Sequence, residues 1–137
     1  MASLRNKSTT LSKHLYKNIV KKFPSYLRRR LPKQILVVAI SSSRLGQLNQ
    51  QYRKENKPPD VLSFRYGKDY GEILVCPAVI RREAKKQGNS YKYQMTWMIV
   101  HGMLHLAEIH HEKSKISARK VEKIELEILT RFSKIKN

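Results

Sequence analysis

Residues 91–107 read YKYQMTWMIVHGMLHLA and follow a helical pattern that is apolar on nearly every side. The apolar side chains are Met95, Trp97, Met98, Ile99, Val100, Met103, Leu104 and Leu106. Because they cover most of the helix circumference instead of one stripe, this helix is predicted to lie buried in the middle of a domain. Other elements must then surround it.

The segments before this central helix alternate between strand and helix patterns. Strands are expected at about 35–40, 61–64 and 72–76, where apolar and β-branched residues cluster. The serines at 41–43 can cap a helix that carries Leu45, Leu48 and Tyr52. A further helix is expected to begin at Pro77 and to end near Gly88.

Amphipathic helices are predicted at both ends of the chain. A basic N-terminal helix is expected at about 10–23, with apolar residues at intervals of four: Leu11, Leu15, Ile19 and Phe23. Thr9 or Thr10 would cap this helix, and Pro24 would stop it. A C-terminal helix is expected at roughly 115–134, with one apolar side made of Val121, Ile124, Ile128 and Phe132. We therefore predict one α/β or α+β domain over residues 1–137, with a small mixed sheet packed against helices.

The net charge is the most informative feature of the composition. The chain has 29 Lys and Arg residues and 10 Asp and Glu residues, which gives a formal charge of +19. No acidic residue precedes Gln34. Such a surface attracts phosphate backbones, so a nucleic acid is the favoured partner. The alternative partner is an anionic membrane surface bound by the N-terminal apolar stripe, although such a stripe more often packs into a core.

Cysteine content and hydropathy restrict the compartment. The single cysteine, Cys76, excludes an intrachain disulfide and a cysteine-rich zinc ribbon. No run of about 18 apolar residues is present, and the N-terminus lacks the apolar core of a signal peptide. We expect a cytoplasmic protein without a membrane partner.

Four of the five histidines fall between positions 101 and 111. His101 and His105 are four residues apart, so both imidazoles lie on one face of the central helix, where one tetrahedral ion can accept both. His111 is a third candidate after the chain leaves the helix. The alternative reading, a hydrogen-bonded core histidine, suits one such residue better than two. Position 102 is glycine and not glutamate, which disfavours a metallopeptidase, and Gly102 itself suggests close packing of the helix against another backbone.

The string His-Gly-Met-Leu-His-Leu at 101–106, followed by His111, resembles the metal signature H-G-x-L-H-L-x-G-Y-D-H of the YbeY family of bacterial rRNA-maturation endoribonucleases. Residues 48–53 (LNQQYR) and 60–64 (DVLSF) are similar to the family elements L-N-x-x-Y-R and D-V-L-S-F, in the same order. Residues 71–73 (GEI) are similar to a further strand start of the family. The resemblance extends from about residue 35 to residue 129.

The resemblance implies a metal-dependent endoribonuclease that prefers single-stranded RNA and acts in 16S rRNA 3′-end maturation and ribosome quality control. It implies one Zn²⁺ per chain, bound by His101, His105 and His111, and it assigns the catalytic role to Arg53. The expected partners are RNA, above all rRNA, and the small ribosomal subunit.

The sequence departs from the family where Glu108-Ile109-His110 replaces Gly-Tyr-Asp. A helix continued past 107 would align Glu108 with His101 and His105, so that Glu108 could bind the ion or act as a base. Alternatively, Glu108 is a solvated charge at the helix end and His110 is a surface residue. Asp60 and Glu72 could line the cleft, but cap and surface roles are favoured.

Zinc on neutral histidines would activate water and polarise a phosphate oxygen. Arg53 would offer two parallel donors to the charge that builds up on the phosphate. The main alternative is a ribosome-associated RNA-binding factor with a structural or idle zinc. A small-molecule zinc hydrolase is a third possibility, for which so basic a surface would have no purpose.

Overall fold

The computed structural model of the chain describes residues 9–10, 13–52, 61–107 and 115–132. The helices are α1 (Lys13–Lys22), α2 (Ser25–Arg28), α3 (Ser42–Tyr52), α4 (Pro77–Gln87), α5 (Tyr91–Leu106) and α6 (Lys115–Thr130). The strands are β1 (Thr9–Thr10), β2 (Gln34–Ala39), β3 (Val61–Arg65) and β4 (Tyr70–Val75). The predicted α+β class is confirmed.

The strands form one mixed sheet with the order β1-β2-β4-β3. β2 and β4 are parallel, whereas β1 pairs antiparallel with β2 and β3 pairs antiparallel with β4. The β3–β4 hairpin turns at Gly67, whose φ of 87° is a left-handed conformation that favours glycine. The helical connection through α3 lets the chain return for the parallel pairing of β2 with β4.

Helices cover both faces of this sheet. One face carries Ile35, Val37, Ile73 and Val75 and packs with residues of α1, α5 and α6. The other face carries the alternating neighbours, among them Val38 and Leu74, and packs with Leu45 and Leu48 of α3. Since successive side chains of a strand point to opposite faces, the continuous apolar runs of β2 and β4 supply both cores.

The central helix matches its prediction closely. α5 spans Tyr91–Leu106, and nine of its 16 residues are buried. It begins at Ser90, whose side chain accepts a hydrogen bond from the Tyr93 amide at 3.1 Å. The preceding helix α4 begins at Pro77 and is capped at its C-terminal end by Gly88, whose φ is 73°, so both predicted ends are confirmed.

The N-terminal prediction needs correction. Thr9 and Thr10 pair with β2 as a short strand and do not cap a helix, and α1 begins only at Lys13. An additional short helix, α2, follows Pro24. Pro24 is predicted to end the N-terminal helix, and it also occupies the N-cap position of α2. Ile19 and Phe23 are buried in the main core, so the described part of the apolar stripe packs inside the domain. None of the described helices is long and apolar enough to cross a membrane.

Gly102 allows α5 to lie very close to the sheet. A Cβ at this position would lie 2.9 Å from Cγ2 of Ile73 and 3.0 Å from Oγ of Ser63. The Ser63 hydroxyl also donates to the carbonyl of Gly102 at 3.1 Å. Close packing was predicted here, but its partners are two strand side chains and not a neighbouring backbone.

Gly102→Ala and Gly46→Ala are predicted to change stability differently, although both replace a glycine within a helix. Nothing lies within 4 Å of a Cβ at Gly46 in α3, so alanine there should stabilise by about 0.5–1 kcal/mol through helix propensity. At Gly102 the same gain is opposed by overpacking, which costs about 1–3 kcal/mol. Urea unfolding of both variants measures the difference, and equal stabilities would contradict the close approach of α5.

Candidate metal centre

The candidate centre lies on one side of α5, where residues at intervals of four succeed each other along the helix. His101 and His105 are neighbours on this side, with ring centroids 4.8 Å apart and ring planes at 73°. Their Nε2 atoms face each other at 3.2 Å. The structure therefore brings together two of the three predicted ligands.

The distance between these two nitrogens fits a shared metal ion. Two imidazole nitrogens at about 2.05 Å from a tetrahedral zinc are roughly 3.3 Å apart, close to the 3.2 Å between the Nε2 atoms of His101 and His105. A hydrogen bond between the two atoms requires a proton between them. A metal ion would replace that proton, because ligating imidazoles offer a lone pair. The geometry of the pair is therefore compatible with zinc.

Glu125 of α6 contacts the opposite side of the His101 ring. Its Oε2 lies 2.9 Å from His101 Nδ1, and its Oε1 accepts a hydrogen bond from the indole nitrogen of Trp97 at 2.5 Å. An ionised carboxylate only accepts, so opposite an ionised Glu125 the proton of this contact is on Nδ1 of His101. A neutral His101 then has its lone pair on Nε2, the atom that faces His105.

The C-terminal end of α5 is held by Arg65 of β3. One guanidinium nitrogen donates to the carbonyl of Leu106 and also to that of Arg30, while Nε donates to Gly67. The basic turn after α2 therefore lies beside the end of α5 that carries His105. Gly71 permits the Leu106 side chain to pack closely on β4, since a Cβ at position 71 would lie within 3.2 Å of Leu106.

Several predicted site residues lie outside the described residues. These are Arg53, Asp60, Glu108, His110 and His111. Within the described parts of the chain, no three His, Cys, Asp or Glu side chains form a complete metal site. The roles of these five residues stay predictions.

The predicted surface or cap role of Glu72 is wrong. Glu72 is completely buried, and its Oε2 accepts a hydrogen bond from the Tyr70 hydroxyl at 2.6 Å. It alternates with Ile73 along β4 and pairs with Phe64, so it lies on the α3 face of the sheet and not on the α5 face. Glu72 therefore does not line the pair of histidines.

Glu125 is the site residue that sequence reasoning missed. Position 125 lies outside the predicted apolar side of the C-terminal helix, yet the residue as a whole is only 8% exposed. A signal was present, because Glu125 follows Val121 by four positions and precedes Ile128 by three. An acidic residue within the apolar stripe of an amphipathic helix indicates a buried partner.

Comparison with known proteins adds an independent finding. The family model described as Endoribonuclease YbeY matches residues 3–133. The chain is 38% identical over 78 residues to Endoribonuclease YbeY of Thermotoga petrophila, covering 56% of this chain but only 52% of that relative. It is 30% identical over 116 residues to the protein of the same name from Thermosipho melanesiensis, covering 82% of this chain and 84% of that one.

The fold has a counterpart among solved structures. The solution structure of a Thermotoga maritima protein superimposes with a TM-score of 0.58 at 28% identity, over 90% of this chain and 89% of that one. The family model covers nearly the whole chain, and the fold and the histidine pair agree with it. This chain therefore belongs to the YbeY family of endoribonucleases.

Proposed function

We propose that the chain is a zinc-dependent endoribonuclease that cleaves single-stranded RNA. The observation that carries this proposal is the pair of Nε2 atoms 3.2 Å apart on α5, in a chain of an endoribonuclease family. His101 and His105 would hold the ion, and His111 is the proposed third ligand. When bound, zinc supplies activation of water and polarisation of a phosphate oxygen.

The chain's own residues would bind and orient the phosphate. Arg53 is the proposed donor to the phosphate oxygen on which negative charge increases during cleavage. α3, which ends at Tyr52, packs on the sheet face opposite α5. Single-turnover cleavage by Arg53 variants tests this role.

The RNA is proposed to bind over the basic end of α2 and the turn that follows it. Arg28 and Arg29 are exposed. The carbonyls of the neighbouring Arg30 and of Leu106 both accept a hydrogen bond from the same guanidinium nitrogen of Arg65. The turn is thus next to the end of α5 that carries His105. A backbone held there by phosphate contacts would pass close to the proposed metal.

The proposed substrate is rRNA, and the proposed process is maturation of the 16S rRNA 3′ end and ribosome quality control, with the small ribosomal subunit as partner. Resemblance to the family supports this, together with the +19 charge. The alternative, an RNA-binding factor with an idle zinc, predicts RNA affinity without cleavage. Single-turnover assays therefore separate the two functions.

The purified chain is predicted to hold one zinc ion, and alanine at any of the three ligand histidines should remove most of it. Elemental analysis after dialysis measures the content. His14→Ala is the matched control, since His14 is the only histidine outside 101–111. If His111→Ala kept stoichiometric zinc while Glu108→Ala lost it, the proposed third ligand would be wrong.

Charge reversal at Arg28 and Arg29 is predicted to weaken RNA binding. It should also reduce the slope of the logarithm of the binding constant against the logarithm of the salt concentration, by about one for each lost phosphate contact. The control is the pair Arg82→Glu and Lys85→Glu on α4. That helix contacts the other end of α5, where Arg81 lies over the Tyr91 ring, about 20 Å away along the helix.

Fluorescence anisotropy across a salt series measures both variants. Equal weakening by the two pairs would mean that RNA binding is diffuse over the surface. Removal of residues 1–8 should weaken binding only partly, because Arg28 and Arg29 remain.

Arg53→Ala is predicted to lower the single-turnover cleavage rate by roughly a hundredfold or more, with much smaller changes in RNA affinity and zinc content. Lysine at this position should recover only part of the rate, because it restores the charge without the two parallel donors. Arg44→Ala, on the same α3 helix, is the control. A wild-type rate from Arg53→Ala with zinc retained would remove Arg53 from the site.

A further inference from the structure

Glu125 and Trp97 form a linked pair behind the His101 ring. The carboxylate contacts Nδ1 of His101 through one oxygen and the Trp97 indole through the other. Trp97 and His101 are four residues apart on α5, whereas Glu125 comes from α6. The link therefore joins the two helices at the level of the candidate ligand.

We propose that Glu125 is a positioning residue, which fixes the tautomer and the ring orientation of His101, and that Trp97 holds Glu125 in place for this task. The proposal rests on the proposed function only for the identity of the ion. A carboxylate on the second nitrogen of a ligating imidazole fixes the tautomer and strengthens the ligand.

Burial makes the carboxylate effective. The Glu125 side chain is 11% exposed and the His101 side chain 34%, so water competes poorly for the carboxylate while the His101 ring remains partly open to solvent. Burial of a charged carboxylate is costly unless donors satisfy it. The indole of Trp97 supplies one donor and the imidazole of His101 another.

Trp97 also determines which hydrogen-bonding group the side chain at position 125 presents to His101. An indole nitrogen can only donate, so whatever occupies position 125 must present an acceptor to it. A carboxylate meets this demand and still has a second acceptor for His101. A glutamine has one carbonyl oxygen and one amide nitrogen, so with its oxygen toward Trp97 it turns a donor toward Nδ1 of His101.

Glu125→Gln should therefore change the tautomer of His101 as well as remove a charge. The amide donor facing Nδ1 favours the form with the proton on Nε2, the atom needed for the metal. Zinc affinity is expected to fall about tenfold to a hundredfold, as is typical for the loss of such a partner. Glu122→Gln is the matched control, since Glu122 is an exposed glutamate of the same helix.

A second variant tests the role of Trp97. In the double variant Glu125→Gln with Trp97→Phe, the glutamine is free to turn its oxygen toward His101 and so restore the Nδ1–H form. Zinc affinity of the double variant should then exceed that of Glu125→Gln alone. A purely structural role of Trp97 predicts the opposite, because loss of its packing would add to the first defect.

Two measurements on the chain of residues 1–137 decide the outcome. Zinc affinity is measured by competition with a chromophoric chelator, and the His101 tautomer by long-range ¹H–¹⁵N NMR of the metal-free chain, with thermal melts as a check of folding. Weaker zinc binding and an altered tautomer in Glu125→Gln, both recovered in the double variant, would support the proposal. Wild-type affinity and tautomer in Glu125→Gln, or a loss equal to that of Glu122→Gln, would overturn it.

The same design separates this proposal from the proposed function. If the wild-type chain bound no zinc, the metal would be wrong, and the tautomer spectra alone would decide the role of Glu125. An unchanged His101 tautomer in a folded Glu125→Gln variant would refute that role even if the chain were a zinc enzyme.

Discussion

The close approach of α5 to the sheet is the constraint on which the candidate centre depends. Gly102 faces Ser63 and Ile73 at distances that leave no room for a side chain. Each residue turns a helix by about 100°, so fixing Gly102 against the sheet also fixes the rotation of α5. His101 and His105 then point sideways from the sheet, on the side where α6 contributes Glu125.

This constraint explains how the largely apolar helix α5 can carry the two candidate ligands, His101 and His105, at the edge of the core. α5 gains its stability from burial in the core of residues such as Met103 and Leu104, which are fully buried. The polar imidazoles lie at the edge of this core, where His101 keeps a partly exposed side chain. The core thus supplies rigidity, while the edge leaves the candidate centre partly open to solvent.

Features encoded by local sequence were the ones that could be predicted. The bounds of α4 follow from Pro77 and Gly88, and the buried nature of α5 follows from apolar residues on all sides. The pairing of His101 with His105 needs only the geometry of one helix. Each of these predictions used residues within a few positions of each other.

Features that depend on packing between distant segments were missed. The roles of Glu125 and Glu72 depend on elements far away in the sequence, and a pattern within one helix or strand does not show which element covers it. A strand pattern taken alone predicts Glu72 at the surface, because it does not show that the second face of the strand is also covered. Thr9 and Thr10 suit both a helix cap and a strand, and only the edge of β2 distinguishes the two roles.

The position of Glu125 also bears on whether the centre is open or closed. The two nitrogens of an imidazole lie on opposite sides of its ring, so a carboxylate bonded to Nδ1 of His101 does not reach an ion held at Nε2. Glu125 therefore supports the ligand without filling a coordination position while it keeps this bond. A structural zinc needs four protein ligands, whereas a catalytic zinc uses three and leaves one position for water. A position behind the ring, instead of beside the ion, would leave Glu125 out of the ligand set of the proposed zinc site.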